Sequence, residues 1–299
     1  MIRLTALTKR YGDVVAVDDL TFTVRPGLVT GFLGPNGAGK TATMRMILGL
    51  DLPTSGSATI DGRPHRDLRH PLRVIGSLLD AQAVHPQRTA YRHLLYLAQS
   101  NSIPAGRVAE VLALVGLSDV AGRKAGGFSL GMSQRLGIAA ALLGDPPVVV
   151  LDEPVNGLDP EGVRWIRTLI RGLAAEGRTV LVSSHLMSEM AMTADRLVVI
   201  GKGRLIAEAE IGEFTEAGST VLVRTPQAAA FSRRLELSGA HVQAGDENEL
   251  LVTGMTAPDV GRLAAAEGVP LFELTQRRVS LEDAFMELTR DSVEYGAAR

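Results

Sequence analysis

The stretch GPNGAGKT at positions 34–41 limits what this chain can fold into more than any other. It fits G-x-x-x-x-G-K-[ST], with Gly34, Gly39, Lys40 and Thr41 at the fixed places and Pro35, Asn36, Gly37 and Ala38 between them. Glycine has no Cβ, so the backbone can wrap closely around an anion in conformations closed to other residues. The loop amides then face the phosphates, and the following helix adds its positive N-terminal end. Lys40 is placed to reach the β- and γ-phosphates, and the Thr41 hydroxyl to hold Mg²⁺. This loop needs a strand before it and a helix after it. LVTGFLG (28–34) reads as a short buried strand and ATMRMILGL (42–50) as the helix. The chain is therefore expected to bind a nucleoside triphosphate on a parallel α/β sheet.

The 299 residues suffice for about two domains. A net charge of −2 gives no basic footprint of the kind nucleic-acid binding needs, so no nucleic-acid partner is expected. With no cysteine, disulfides and thiolate metal sites are excluded. The N-terminal stretch has no apolar signal-peptide core, and no run of about 18 apolar residues occurs. The expectation is a cytosolic protein, or one docked on a membrane by a partner.

Along the chain, residues 2–7 and 14–24 carry strand-like β-branched runs, closed by the turn at Pro26 and Gly27. Tyr11 lies between them, about 30 residues before Lys40; it reads either as a half-buried surface residue or as an aromatic face stacked on a base. RVIGSLL (73–79) is a further buried strand, and helical spacing of Leu and Val begins near Thr89, broken at 101–106. The glycines and Ser129 precede an apolar helix expected to start near Met132 and to end at Pro146.

VVVLDEP (148–154) reads as a central parallel strand ending in two carboxylates. Asp152 and Glu153 then fall where open α/β sheets bind ligands. Neighbouring carboxylates repel unless a cation offsets them, and beside a phosphate loop Mg²⁺ is the natural cation. A helix is expected from Glu161, then the strand RTVLVSSH (178–185), which ends at His185 in line with the acids. The remaining histidines show no metal-ligand spacing. From Thr220 the order strand, helix, strand, strand, helix, strand fits the split βαβ pattern of a ferredoxin-like module; a further helix is expected over 280–291.

In this order, the motifs resemble those of the ATPase subunit of an ABC transporter. Tyr11 matches the adenine-stacking aromatic, GPNGAGKT the Walker A loop, FSLGMSQR (128–135) the signature sequence, and VVVLDEP the Walker B strand. GLD (157–159) matches the D-loop, ending at Asp159, and His185 matches the switch histidine. The match covers about residues 1–215, and the region ending SLEDAFMEL resembles the appendage of drug-export subunits such as those for daunorubicin and bacitracin. The resemblance implies a P-loop NTPase (RecA-like) cassette with antiparallel β and helical subdomains, the latter over about 85–145. It also implies an α+β ferredoxin-like accessory domain over 219–299.

The same resemblance implies an ATPase using ATP and Mg²⁺, on the inner face of the cell membrane. Two such subunits, identical or paralogous, would sandwich two ATPs and energise a separate membrane permease. Lys40 and Mg²⁺ held by Thr41 and Asp152 would neutralise charge, Glu153 would accept the proton of the attacking water, and His185 would contact the γ-phosphate. Ser129 and the Gly131 amide would approach that phosphate from the other subunit. Ala42 replaces a second hydroxyl that commonly follows GKT, while Leu130 and Met132 replace a glycine and a glutamine of the signature. The loop expected to offer a Mg²⁺-binding glutamine offers Asp80, with Gln82 two residues on. The competing expectation is a soluble ABC-type ATPase that remodels ribosomes, DNA or an assembly scaffold; the C-terminal resemblance favours the exporter.

Overall fold

The computed structural model describes residues 1–213, 220–246 and 248–277. The expected helix over 280–291 lies outside the described residues. The chain divides into two compact units, one spanning Met1–Ala209 and one beginning at Glu210.

In the first unit, three strands form an antiparallel sheet ordered β2-β1-β4: β1 (Ile2–Tyr11), β2 (Val14–Val24) and β4 (Ser55–Ile60). β1 runs further than its β-branched start predicts, because Tyr11 still pairs with Val14 across a turn at Gly12. Six more strands order as β5-β6-β7-β3-β8-β9. These are β3 (Val29–Leu33), β5 (Ile75–Leu78), β6 (Val148–Leu151), β7 (Thr179–Ser184), β8 (Arg196–Gly201) and β9 (Arg204–Glu210). The β5/β6, β6/β7, β3/β7 and β3/β8 pairs are all parallel. Every residue of β3, β6 and β7 is buried, as expected of strands covered on both faces.

Helix α1 (Lys40–Ile47) leaves the loop after β3. Its Met44, Met46 and Ile47 join Phe22, Phe32 and Ile60 in one core, with the Phe22 and Phe32 rings 5.4 Å apart. Between β5 and β6 the chain forms α2 (Ala90–Ser100), α3 (Gly106–Leu114) and α4 (Leu130–Leu142). α4 begins two residues before the expected Met132, because the Ser129 Oγ accepts the Met132 N–H and caps the helix. α5 (Pro160–Ala175) is capped in the same way by Asp159, with proline at its first position. α6 (Met187–Thr193) links β7 to β8.

The second unit holds β10 (Thr220–Arg224), α7 (Ala228–Leu237), β11 (His241–Ala244), β12 (Glu249–Thr253), α8 (Ala257–Glu267) and β13 (Glu273–Arg277). Its sheet is antiparallel throughout, ordered β11-β12-β10-β13, the ferredoxin-like arrangement expected from the element order. Val221, Val223, Leu250 and Val252 pack with Phe231 and Leu235 of α7 and Val260 and Ala264 of α8 in a separate core.

Candidate nucleotide-binding site

The loop after β3 lines a cavity of ≈ 410 Å³ together with Ala16, Leu79, Asp152 and Glu153. Two of its glycines are required by contact, and Gly39 by conformation as well. A Cβ on Gly39, which has φ 103°, would stand 2.4 Å from the Ala16 carbonyl oxygen, and one on Gly34 would stand 2.6 Å from that of Ile200. Any side chain there would force the loop off the strands beneath it. The Thr43 hydroxyl donates to the Gly39 carbonyl at 2.9 Å and fastens the first turn of α1 to the loop.

Lys40 is 7% exposed and donates to the carbonyls of Gly34 at 2.6 Å and Pro35 at 3.3 Å, with Glu153 Oε1 at 3.9 Å. Burial pushes its pKa below the usual lysine value, while Glu153 and Asp152 act in the opposite direction. The ammonium is thus curled over the loop, with a carboxylate within reach.

The acid pair is held from the neighbouring strand. Fully buried Ser183 of β7 donates its hydroxyl to the Asp152 carboxylate, and its oxygen accepts the Glu153 N–H at 2.9 Å. Glu153 takes the left-handed conformation, φ 47°, so the chain turns sharply as it leaves β6. Asp152 Oδ2 accepts the Thr41 hydroxyl at 2.8 Å, and His185 Nδ1 lies 2.8 Å from Glu153 Oε2. Strands β3, β6 and β7 therefore bring Lys40, Thr41, Asp152, Glu153 and His185 into one hydrogen-bonded and ion-paired set.

This set fits Mg²⁺ as a cofactor. Thr41 and Asp152 present two oxygens side by side, and Mg²⁺ characteristically takes one or two carboxylates and fills its shell with water and substrate phosphates. Among the described residues no group of three His, Cys, Asp or Glu side chains is arranged to hold a metal ion. The Asp80 carboxylate accepts the Gln82 N–H at 2.8 Å, closing a turn after β5. Gln82 itself lines a separate cavity with Phe128, Leu130 and Ser133.

Tyr11, Ser129, Gly131 and Asp159 do not line the loop cavity. Ser129 and Asp159 cap their helices, and the Leu130 side chain lies over Gly157, so closely that a Cβ there would be 2.0 Å away. Tyr11 is 47% exposed; its hydroxyl donates to Asp51 at 2.7 Å and the Lys9 ammonium sits 4.9 Å from its ring centre. The Asp51 carboxyl is held at a pKa of about 2, first by the hydrogen bonds from Arg45 and then by that from Tyr11; the Tyr11 phenol is raised chiefly by the same bond. Sequence reading missed Ser183 and Asp51. The only trace of the first is a pair of hydroxyls, Ser183 and Ser184, that close the strand after the apolar run 180–182.

Among the described residues no helix is long and apolar enough to cross a membrane. Residues 17–156 match the ABC transporter family, and residues 219–282 match a domain of unknown function, DUF8746. The bacitracin transport ATP-binding protein BcrA of Bacillus licheniformis is 37% identical over 299 residues, covering 96% of this chain and 97% of that protein. The Nod factor export ATP-binding protein I of Burkholderia orbicola is 36% identical, covering 94% of each. A dimeric ATP-binding cassette, MJ0796, solved in a post-hydrolysis state with ADP and Pi, superposes with a TM-score of 0.64 at 26% identity, covering 71% of this chain and 99% of that one. Near full-length identity to such proteins, joined to the phosphate loop and the acid pair, decides the family: the chain belongs to the ABC transporter ATP-binding proteins and is an ATP-binding, ATP-hydrolysing subunit.

Proposed function

We propose that this chain energises a separate membrane permease that exports a drug or natural product, working as a peripheral subunit on the cytoplasmic face of the membrane. The observation that carries this reading is the near full-length similarity to subunits named for bacitracin transport and Nod factor export, which extends past the cassette into the second unit. In our reading the C-terminal region from 219 onward would act as an accessory domain that stabilises the dimer or tunes coupling.

In the catalytic step the loop residues 34–42 would cradle the triphosphate of ATP, with Lys40 turning from the loop carbonyls to the β- and γ-phosphates. Thr41 and Asp152, and in our reading Asp80, would hold Mg²⁺, which supplies positive charge beside the developing phosphate charge. Glu153 would take the proton of the attacking water; His185, 2.8 Å from it, orients that carboxylate and would contact the γ-phosphate. Tyr11 would stack on the adenine. A dimer, either of two copies or with a paralogous cassette, follows because Ser129, Gly131 and Asp159 lie outside the loop cavity and would complete the partner's site; MJ0796 is dimeric.

The test is purification of the tagged chain from detergent-solubilised membranes of its own host. The exporter reading expects a polytopic membrane protein to copurify in stoichiometric amount and to stimulate ATP hydrolysis. Recovery only with ribosomes, DNA or another soluble assembly would replace this reading with that of a remodelling ATPase.

A further inference from the structure

We propose that Asp51, braced by Arg45, is a positioning residue that fixes Tyr11 as the base platform and couples it to the far end of the phosphate-binding helix. This rests on the reading of Tyr11 as the stacking ring. Three chain segments meet at the Asp51 carboxylate. Tyr11, the last residue of β1, donates its hydroxyl to Oδ2 at 2.7 Å. Arg45, in the last turn of α1, donates Nε to the same oxygen at 2.8 Å and Nη2 to Oδ1 at 3.2 Å. Lys9 adds a bond from Nζ to the Leu52 carbonyl at 2.7 Å, so the same ammonium that sits over the tyrosine ring is itself anchored to this turn.

The tie acts through geometry. A tyrosine at a strand end, 47% exposed, has little packing to select its rotamer. Tied by its hydroxyl, the ring keeps one plane and stacks without first losing that freedom. The tie also leads back to the phosphates. Helix α1 starts at Lys40 beside the loop and ends at the turn that carries Asp51. Base and phosphate contacts are therefore set by one element and one carboxylate. Arg45 is paired bidentately with Asp51, which keeps the carboxylate charged and its oxygens aimed.

The experiment measures the Kd of the full-length chain for MgATP and for Mg-tripolyphosphate, which carries the phosphates without a base. Tyr11→Ala is expected to weaken ATP about tenfold through lost stacking. Tyr11→Phe and Asp51→Ala are each expected to weaken it about threefold, the size of one lost hydrogen bond, and the double variant no more than either alone. Tripolyphosphate binding should stay at the wild-type value in all four. Wild-type ATP affinity in Tyr11→Ala would overturn the stacking reading itself. Loss in Tyr11→Ala with wild-type affinity in Tyr11→Phe would leave stacking intact and overturn the positioning role, and it does so even if Asp51→Ala fails to fold. Equal weakening of ATP and tripolyphosphate would make the cluster a structural staple of α1, which also overturns the proposal.

Discussion

Strands β3, β6 and β7 run side by side in the same direction, so the residues after them emerge at one edge of the sheet: the phosphate loop, the Asp152–Glu153 pair and His185. In the second unit β10, β12 and β13 are as regularly paired, with Val221, Val223, Leu250 and Val252 buried, but each runs against its neighbour. Successive strand ends there fall at opposite edges, and the charges of Arg224, Glu249 and Glu273 pair across the strands with one another. Parallel topology brings residues more than a hundred positions apart to one edge of the sheet, where open α/β sheets bind their ligands.

The largest test of this contrast is Glu153→Gln. It keeps the side-chain shape and removes the base, so hydrolysis should fall by ~10²- to 10⁴-fold while ATP still binds. Steady-state ATPase rates beside equilibrium binding measure both. Near-normal turnover would mean that the sheet edge does not supply the base.

On the other sheet, Phe231→Ala should show the opposite pattern. Phe231 is fully buried in the core of the second unit, and truncating such a ring costs about 3–5 kcal/mol. Amide exchange over residues 220–277 should accelerate, while ATP affinity stays put because the loop cavity is lined by first-unit residues. Ending the chain after position 218 should likewise leave ATP binding in place. Loss of binding in either variant would break the proposed independence of the two units.

Ser183→Ala probes how the first sheet holds its acids. Two hydrogen bonds disappear, and the Glu153 N–H loses its partner. At roughly 0.5–1.5 kcal/mol each, the expected drop in kcat is about tenfold or somewhat more, with ATP affinity little changed. A wild-type kcat would show that Thr41 and the β6 backbone suffice to place Asp152.

Much of this was legible in the chain. The phosphate loop, the buried strand ending in two acids and the βαββαβ order of the second unit come from local pattern alone, and they appear where pattern placed them. Helix starts were less legible. Ser129 and Asp159 read as motif letters, yet as caps they set the first residue of α4 and α5. Ser183 and Asp51 were silent for another reason. The acids that Ser183 holds and the Tyr11 that Asp51 ties lie 30 to 40 residues away, and only the register of β6 beside β7, or the turn after α1 beside β1, brings these pairs together. Periodicity reports which face is buried; it carries no information about which polar group crosses to the next strand.

The smallest expected effect separates two neighbours at the edge of β5. Asp80 is exposed and its Oδ1 accepts the Gln82 N–H, so Asp80→Asn preserves the acceptor, and with it the turn, while removing one negative charge. If that charge contributes to holding Mg²⁺ beside Thr41 and Asp152, the Mg²⁺ concentration giving half-maximal ATPase should rise by about threefold, the scale of one exposed charge interaction. Gln82→Ala deletes an amide that lines the cavity near Phe128 and Ser133, away from the loop, and should leave that concentration unchanged. A shift with Gln82→Ala and none with Asp80→Asn would give the Mg²⁺ role to the amide. It would also mean that the β5 turn rearranges when ATP binds, because Gln82 would then have to leave the cavity it lines here.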